Sequence, residues 1–171
     1  MNKFKLTVFF LFLLTIHYSL LSYSQDSLKK GYKLPAVNIK TLKGKSFNTA
    51  DIDNKGNPVI LSFWATWCKP CIKEMTAINE LYDDWKKQTG VKLIAVSIDD
   101  TRTKTNVLPL INGKSWDFEF MTDENSDFKR AMNVSSVPHM FILNKKNEVV
   151  WQHNSFNEGD EKEIFQILKK L

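Results

Sequence analysis

Cys68 and Cys71 are the only cysteines in this 171-residue chain, and they stand two residues apart in the stretch Ser62 to Glu74, SFWATWCKPCIKE. A pair of thiols this close can hold or exchange a disulfide, or bind a soft metal ion. As a cross-link it would do little, because closing a four-residue loop removes only about 2 kcal/mol of unfolded-state entropy, against about 4.7 for a hundred-residue loop. The spacing therefore points to chemistry rather than to stapling. An apolar run rich in β-formers, Val59 to Trp64, precedes the pair, and a helical pattern begins near Pro70. That junction sets Cys68 at a helix N-terminus, where unpaired backbone N–H groups and the helix dipole favour a thiolate over a thiol whose ordinary pKa is about 8.5. Lys69 adds a positive charge, and Pro70 suits a first helical turn because it has no N–H to leave unpaired.

The neighbours of the pair extend this chemistry. Cys68 is the expected nucleophile, and Cys71, one turn inside the helix, the expected resolving thiol. Glu74 lies three residues beyond Cys71, so both side chains leave the same side of the helix. A carboxylate there can take or give the proton of the resolving thiol; equally, a first-turn acid can simply complement the dipole. Trp67 is expected at a docking surface and Trp64 in the core. His139 could stabilise a thiolate or ligate a metal, or be an ordinary partly buried histidine. His153 has no such context.

These side chains need elements to hold them. Pro35 opens the expected domain, and Val37 to Thr41 and Lys45 to Asn48 read as a β-hairpin with Gly44 at its turn. Asp51 to Pro58 is dense in turn formers, and Val59 to Trp64 suits a central strand buried on both faces. From Pro70 to Gln88 the residues Met75, Ile78, Leu81, Tyr82 and Trp85 recur at helical spacing, and Gly90 stops the helix. Val91 to Ile98 reads as a second central strand. Thr103 to Asn112 reads as a helix disturbed by Pro109 and ended by Gly113, Phe118 to Met121 as a short strand, and Asp127 to Met132 as a short helix. Met140 to Leu143 and Val149 to His153 form an expected hairpin. The last segment is an amphipathic helix with a capping box between Asp160 and Glu163, its residues Ile164, Phe165, Leu168 and Leu171 facing the core. Alternating strands and helices in the middle predict an α/β architecture: a mixed central sheet, parallel in its middle, with helices on both faces.

Composition bounds the alternatives. At 43% hydrophobic and 25% charged residues the chain is globular and of one-domain length. The net charge is +5, and its lysines are dispersed among acids, a solvated surface rather than a nucleic-acid footprint. Residues 1–24 read as a signal peptide: Lys3 and Lys5, then the apolar Leu6 to Leu14, then small residues around Ser22 to Ser24. The alternative is an uncleaved membrane anchor. Residues 25–34 read as a flexible lead-in and 35–171 as the domain. Export would place the cysteines where disulfides persist. A monomer is expected, since no heptad or large apolar stripe is left over.

With strand, CxxC and helix in that order, the chain resembles the thioredoxin superfamily. FWATWCKPC is similar to the active-site strand and loop of the exported thioredoxin-like reductases of the TlpA and ResA type. Val137-Pro138, just before the strand Met140 to Leu143, matches the position of a family cis-proline that faces the CxxC pair. The resemblance covers Pro35 to the C-terminus and implies a thioredoxin-like fold with an N-terminal β-hairpin and a central helix–strand insertion between Asp99 and Val137. It further implies an exported thiol–disulfide oxidoreductase that reduces protein disulfides, with cytochrome c cysteines among the possible substrates. The cycle would run through a Cys68–Cys71 redox-active disulfide without a cofactor or metal, with re-reduction by a membrane dithiol donor. Trp67, Val137 and Pro138 would bind substrate, and Glu74 would belong to the active site. Ser62 stands where thioredoxins carry a buried aspartate, so that proton relay is missing and Glu74 gains weight. The competing reading is an exported copper-binding module using Cys68, Cys71 and His139, although copper carriers of this fold use CxxxC. A peroxidase fits poorly, because Ala65-Thr66-Trp67 lacks the Pro-x-x-x-Thr-x-x-Cys context.

Overall fold

The computed structural model describes residues 31–171; the expected signal peptide, and most of the expected lead-in, lie outside the described residues. The core is one eight-stranded mixed sheet. Its strands are β1 (Tyr32–Lys33), β2 (Asn38–Thr41), β3 (Ser46–Asn48), β4 (Val59–Trp64), β5 (Lys92–Ser97), β6 (Glu119–Thr122), β7 (His139–Leu143) and β8 (Glu148–Asn154), in the spatial order β1-β8-β7-β4-β5-β6-β2-β3. Among the described residues four α-helices accompany them: α1 (Lys69–Thr89), α2 (Val107–Lys114), α3 (Asp127–Ala131) and α4 (Asp160–Leu168). The pairs β4–β5 and β5–β6 are parallel, as βαβ crossovers require, whereas β7 runs antiparallel to both β4 and β8.

β4 sits in the middle, and every one of its residues is buried. Successive side chains alternate between the faces. Ser62 points to the face that carries α1, where it bonds Glu74, while Phe63 points the other way and packs on Phe128 of α3 at 5.2 Å between ring centroids. α1 lies across β4 and β5, with the Tyr82 hydroxyl accepting from Leu93 N at 2.9 Å. α4 covers its flank through the stack of Phe165 on Trp85. α1 stops at Gly90 (φ +67°), where a side chain would be strained and would also press to 2.8 Å on Asn57 Oδ1.

Several elements depart from the sequence expectation. Tyr32 and Lys33, expected in the lead-in, pair with Val149 and Glu148 as an edge strand; two residues carry too little periodicity to be seen in advance. Pro109 does not disturb α2, because it falls in the first turn, where its missing N–H costs no bond; a short 3-10 turn, Lys104–Asn106, precedes it. Gly113 lies inside α2, and the left-handed stop is Ser115 (φ 53°). The capping box at α4 does not form. Gly159 is the N-cap and makes no side-chain cap bond, while the Asp160 carboxylate accepts from Asn157 N and pairs with His153. Of the residues expected to face the core from α4, Ile164 and Leu168 are buried with Ile167, whereas Phe165 and Leu171 are only partly buried.

Candidate active site

The turn that delivers the cysteines starts where β4 ends. Cys68 N donates to Ala65 O at 3.1 Å, closing a turn with Thr66 and Trp67 at its centre. Cys68 then serves as the N-cap of α1: its Sγ accepts from Cys71 N at 3.2 Å, and Pro70 falls within the first helical turn. The two cysteines are joined in a disulfide; Cys68 is nearly buried and Cys71 fully so. An acceptor sulfur at a helix N-terminus is the arrangement that stabilises a thiolate once the disulfide is reduced.

Glu74 is buried on the same helix, one turn beyond Cys71. Its Oε2 accepts from Ser62 Oγ at 3.3 Å, and its Oε1 has no hydrogen-bond partner. Burial pushes its pKa up from 4.5 to about 8, with the Ser62 hydroxyl opposing the shift and the Asp160 charge adding to it. An acid that only complemented the helix dipole would sit at the surface. This one is held in the interior, neutral near pH 7 and able to exchange a proton within the range of a thiol.

The remaining candidates fall in different places. Trp67 is 59% exposed at the rim, and Trp64 is buried against Trp116 and Phe120. The Val137–Pro138 peptide bond is cis. It lies one step beyond the Phe63–His139 pair of the β4–β7 ladder, level with the end of β4 that feeds the cysteine turn. His139, paired with Phe63, shares that residue's face and so lies across the sheet from Ser62 and Glu74. It stacks on Phe141 at 4.6 Å, and burial holds its pKa below the ordinary histidine range, with the Gln152 side chain opposing the shift. No group of three His, Cys, Asp or Glu side chains among the described residues could hold a metal ion, so the three-ligand set of the copper reading is not assembled. No described helix is long and apolar enough to cross a membrane.

One residue of the site escaped sequence reasoning. Asp99, fully buried just past β5, accepts from both the backbone N–H and the hydroxyl of Thr66, in the turn before Cys68. An acid closing a strand reads as a turn former, and the 33-residue separation from Thr66 hides the contact.

The AhpC/TSA family matches residues 30–152. The thiol-disulfide oxidoreductase ResA of Bacillus thuringiensis (strain Al Hakam) is 32% identical over 147 residues, covering 86% of this chain and 81% of its own length. Among solved structures, an uncharacterized thioredoxin-like protein from Porphyromonas gingivalis shares 46% identity with a TM-score of 0.73, over 81% of this chain and 90% of its own. StoA from Bacillus subtilis shares 25% identity with a TM-score of 0.61, over 78% of this chain and 97% of its own.

Proposed function

Because the chain belongs to the AhpC/TSA family and is a thiol–disulfide oxidoreductase of the TlpA/ResA type, we propose that it acts outside the cytoplasm as a reductase of protein disulfides. The observation that carries this reading is the Cys68–Cys71 disulfide at the start of α1 with Glu74 buried one turn further on. In the reduced protein the Cys68 thiolate attacks one sulfur of a substrate disulfide. A mixed disulfide forms, and the other substrate sulfur leaves as a thiolate that takes a proton from water. The ionised form of Glu74, populated as pH approaches 8, takes the proton of Cys71, which attacks Cys68 Sγ; the second substrate sulfur leaves as a thiolate that takes a proton from water. Two electrons pass to the substrate, and the enzyme is left with a disulfide and a neutral Glu74. That is the protonation state which burial favours for this carboxyl when the disulfide is closed.

Trp67, Val137 and Pro138 form the proposed docking wall, with the substrate segment extended beside the disulfide. A membrane dithiol donor re-reduces the pair, and the cysteines of cytochrome c are a candidate substrate. Residues 1–24 supply the export signal, cleaved or retained as an anchor, and the protein works as a monomer. The Lys69-Pro70 pair leans toward reduction, since Pro in the second intervening place accompanies reductases and His accompanies strong oxidants. A peroxidase remains a poor fit, because no threonine stands three residues before Cys68.

The decisive assay is insulin reduction, with a glutathione equilibrium to fix direction. Cys68→Ser should abolish turnover, and full activity in that variant would overturn the reading. Cys71→Ser should accumulate mixed disulfides on Cys68, from which the physiological substrates can be identified.

A further inference from the structure

We infer that Asp99 is a positioning residue for the attacking thiol: it clamps the turn Ala65 to Cys68 to the end of β5 and so holds Cys68 at the N-terminus of α1. The inference rests on Cys68 being the nucleophile. Three donors converge on this buried carboxylate. Oδ2 accepts from Thr66 N at 2.9 Å and from Ser97 Oγ at 2.7 Å, and Oδ1 accepts from Thr66 Oγ1 at 2.6 Å. Asp99 N in turn donates to Ser97 Oγ at 3.1 Å, which fixes the carboxylate relative to its own backbone.

The clamp closes a short mechanical path. The β4–β5 ladder ends with the Trp64–Ser97 pair, followed by Ile98 N donating to Trp64 O at 2.9 Å. Beyond that point the two strands have no further backbone bond to each other, and the Asp99–Thr66 contact takes over. Thr66 is the first central residue of the turn whose last residue is Cys68. Fixing its N–H and hydroxyl leaves the turn little freedom to swing Sγ away from Cys71 N. The same clamp sets the base of Trp67, which lines a depression of about 470 Å³ together with Ile98, Asp100 and Arg102. Helix N-termini stabilise a thiolate only over the first turn, so small displacements of the sulfur forfeit the effect.

The test is the pH dependence of Cys68 alkylation by iodoacetamide in the reduced full-length protein, with fold integrity checked by circular dichroism. Asp99→Ala should raise the alkylation midpoint by about one pH unit, a roughly tenfold fall in rate at neutral pH. Asp99→Asn keeps an acceptor for Thr66 N and should stay within about twofold of wild type. Removing the carboxylate charge would by itself ease thiolate formation, so a slower Asp99→Ala beside an undiminished Asp99→Asn assigns the effect to geometry. If Asp99→Ala does not fold, Thr66→Val carries the test, losing only the hydroxyl bond and slowing alkylation about threefold. A wild-type profile in folded Asp99→Ala, or in Thr66→Val where Asp99→Ala does not fold, overturns the clamp. That outcome beside an inactive Cys68→Ser would leave the proposed function standing, whereas an active Cys68→Ser would sink the function itself.

Discussion

Replacing Glu74 by glutamine should make the protein more stable and less active, and the pH dependence of both effects can be worked out. The carboxyl has a pKa of about 8 in the folded chain against 4.5 as its ordinary value. Between those values the folded state holds a proton that the unfolded state releases. Stability attributable to this group is therefore fully present below pH 4.5 and is lost as pH rises through 8. Each unit of separation is worth 1.36 kcal/mol, so the loss is roughly 3 kcal/mol at pH 7 and approaches about 5 kcal/mol above pH 8. Glutamine does not titrate, and its amide oxygen can keep the Ser62 hydroxyl bond. The stability of Glu74→Gln minus that of wild type should be small near pH 4.5, climb steadily, and level off above pH 8. Urea unfolding of the disulfide form from pH 4.5 to 9 measures this difference directly. In the insulin assay the same variant should lose on the order of a hundredfold in kcat, the size of a general acid–base contribution. A stability difference that does not vary with pH would refute the assignment of a neutral, buried Glu74. Unchanged kcat would refute its part in proton transfer.

Three further outcomes test the surroundings of the site. Ser62→Ala removes the one hydrogen bond that lowers the Glu74 pKa, so in the same unfolding series the pH at which the fall in stability levels off should move upward, while its onset near pH 4.5 stays put. His139→Phe should leave insulin reduction intact, because the imidazole lies on the far side of the sheet from Glu74. Its stability advantage over wild type should grow as pH falls below 6.5, where the unfolded histidine takes up a proton that burial denies to the folded one; lost activity would instead point to a role for His139 at the site. Trp67→Ala should cost less than about 0.5 kcal/mol of stability, because the side chain is largely exposed, while raising KM for insulin several-fold with little change in kcat. A fall in kcat alone would place Trp67 in the chemistry rather than in docking.

What was legible in the sequence was carried by neighbours in sequence. The apolar run Val59 to Trp64 became β4 with the same limits, and the helical period through Trp85 became α1, because both signals repeat within a few residues. Glu74 could be singled out because i,i+3 spacing fixes which side of a helix a residue shares. Its burial and its bond to Ser62 could not be read, since both depend on how α1 lies across β4. The capping box failed for a related reason: Asp160 has the right spacing to Glu163, but His153 near the end of β8 and the Asn157 N–H in the turn after it lie against its carboxylate. Asp99 is the extreme case, a residue whose meaning is set almost wholly by a partner on another strand.

Glu74 and Asp99 also show how one residue class serves two ends of the same site. Both are carboxyl groups buried in the elements that carry Cys68 and Cys71 or adjoin their turn, and among the described residues neither has a cation bonded to it. Asp99 has both oxygens engaged by donors from the cysteine turn and from β5, which suits a group that must hold geometry and keep still. Glu74 has one hydroxyl on Oε2 and none on Oε1, so a single hydrogen bond offsets only part of the cost of ionising it in the interior and a proton is its readiest partner. The difference lies in the number of donors each sheet position can bring. Ser62 supplies a single hydroxyl under α1, whereas the end of β5 meets a turn with a free N–H and a hydroxyl of its own. If Glu74 carries the proton as proposed, giving it a second donor should turn it toward a fixed anchor, lowering its pKa and slowing the resolving step while Cys68 alkylation stays unchanged.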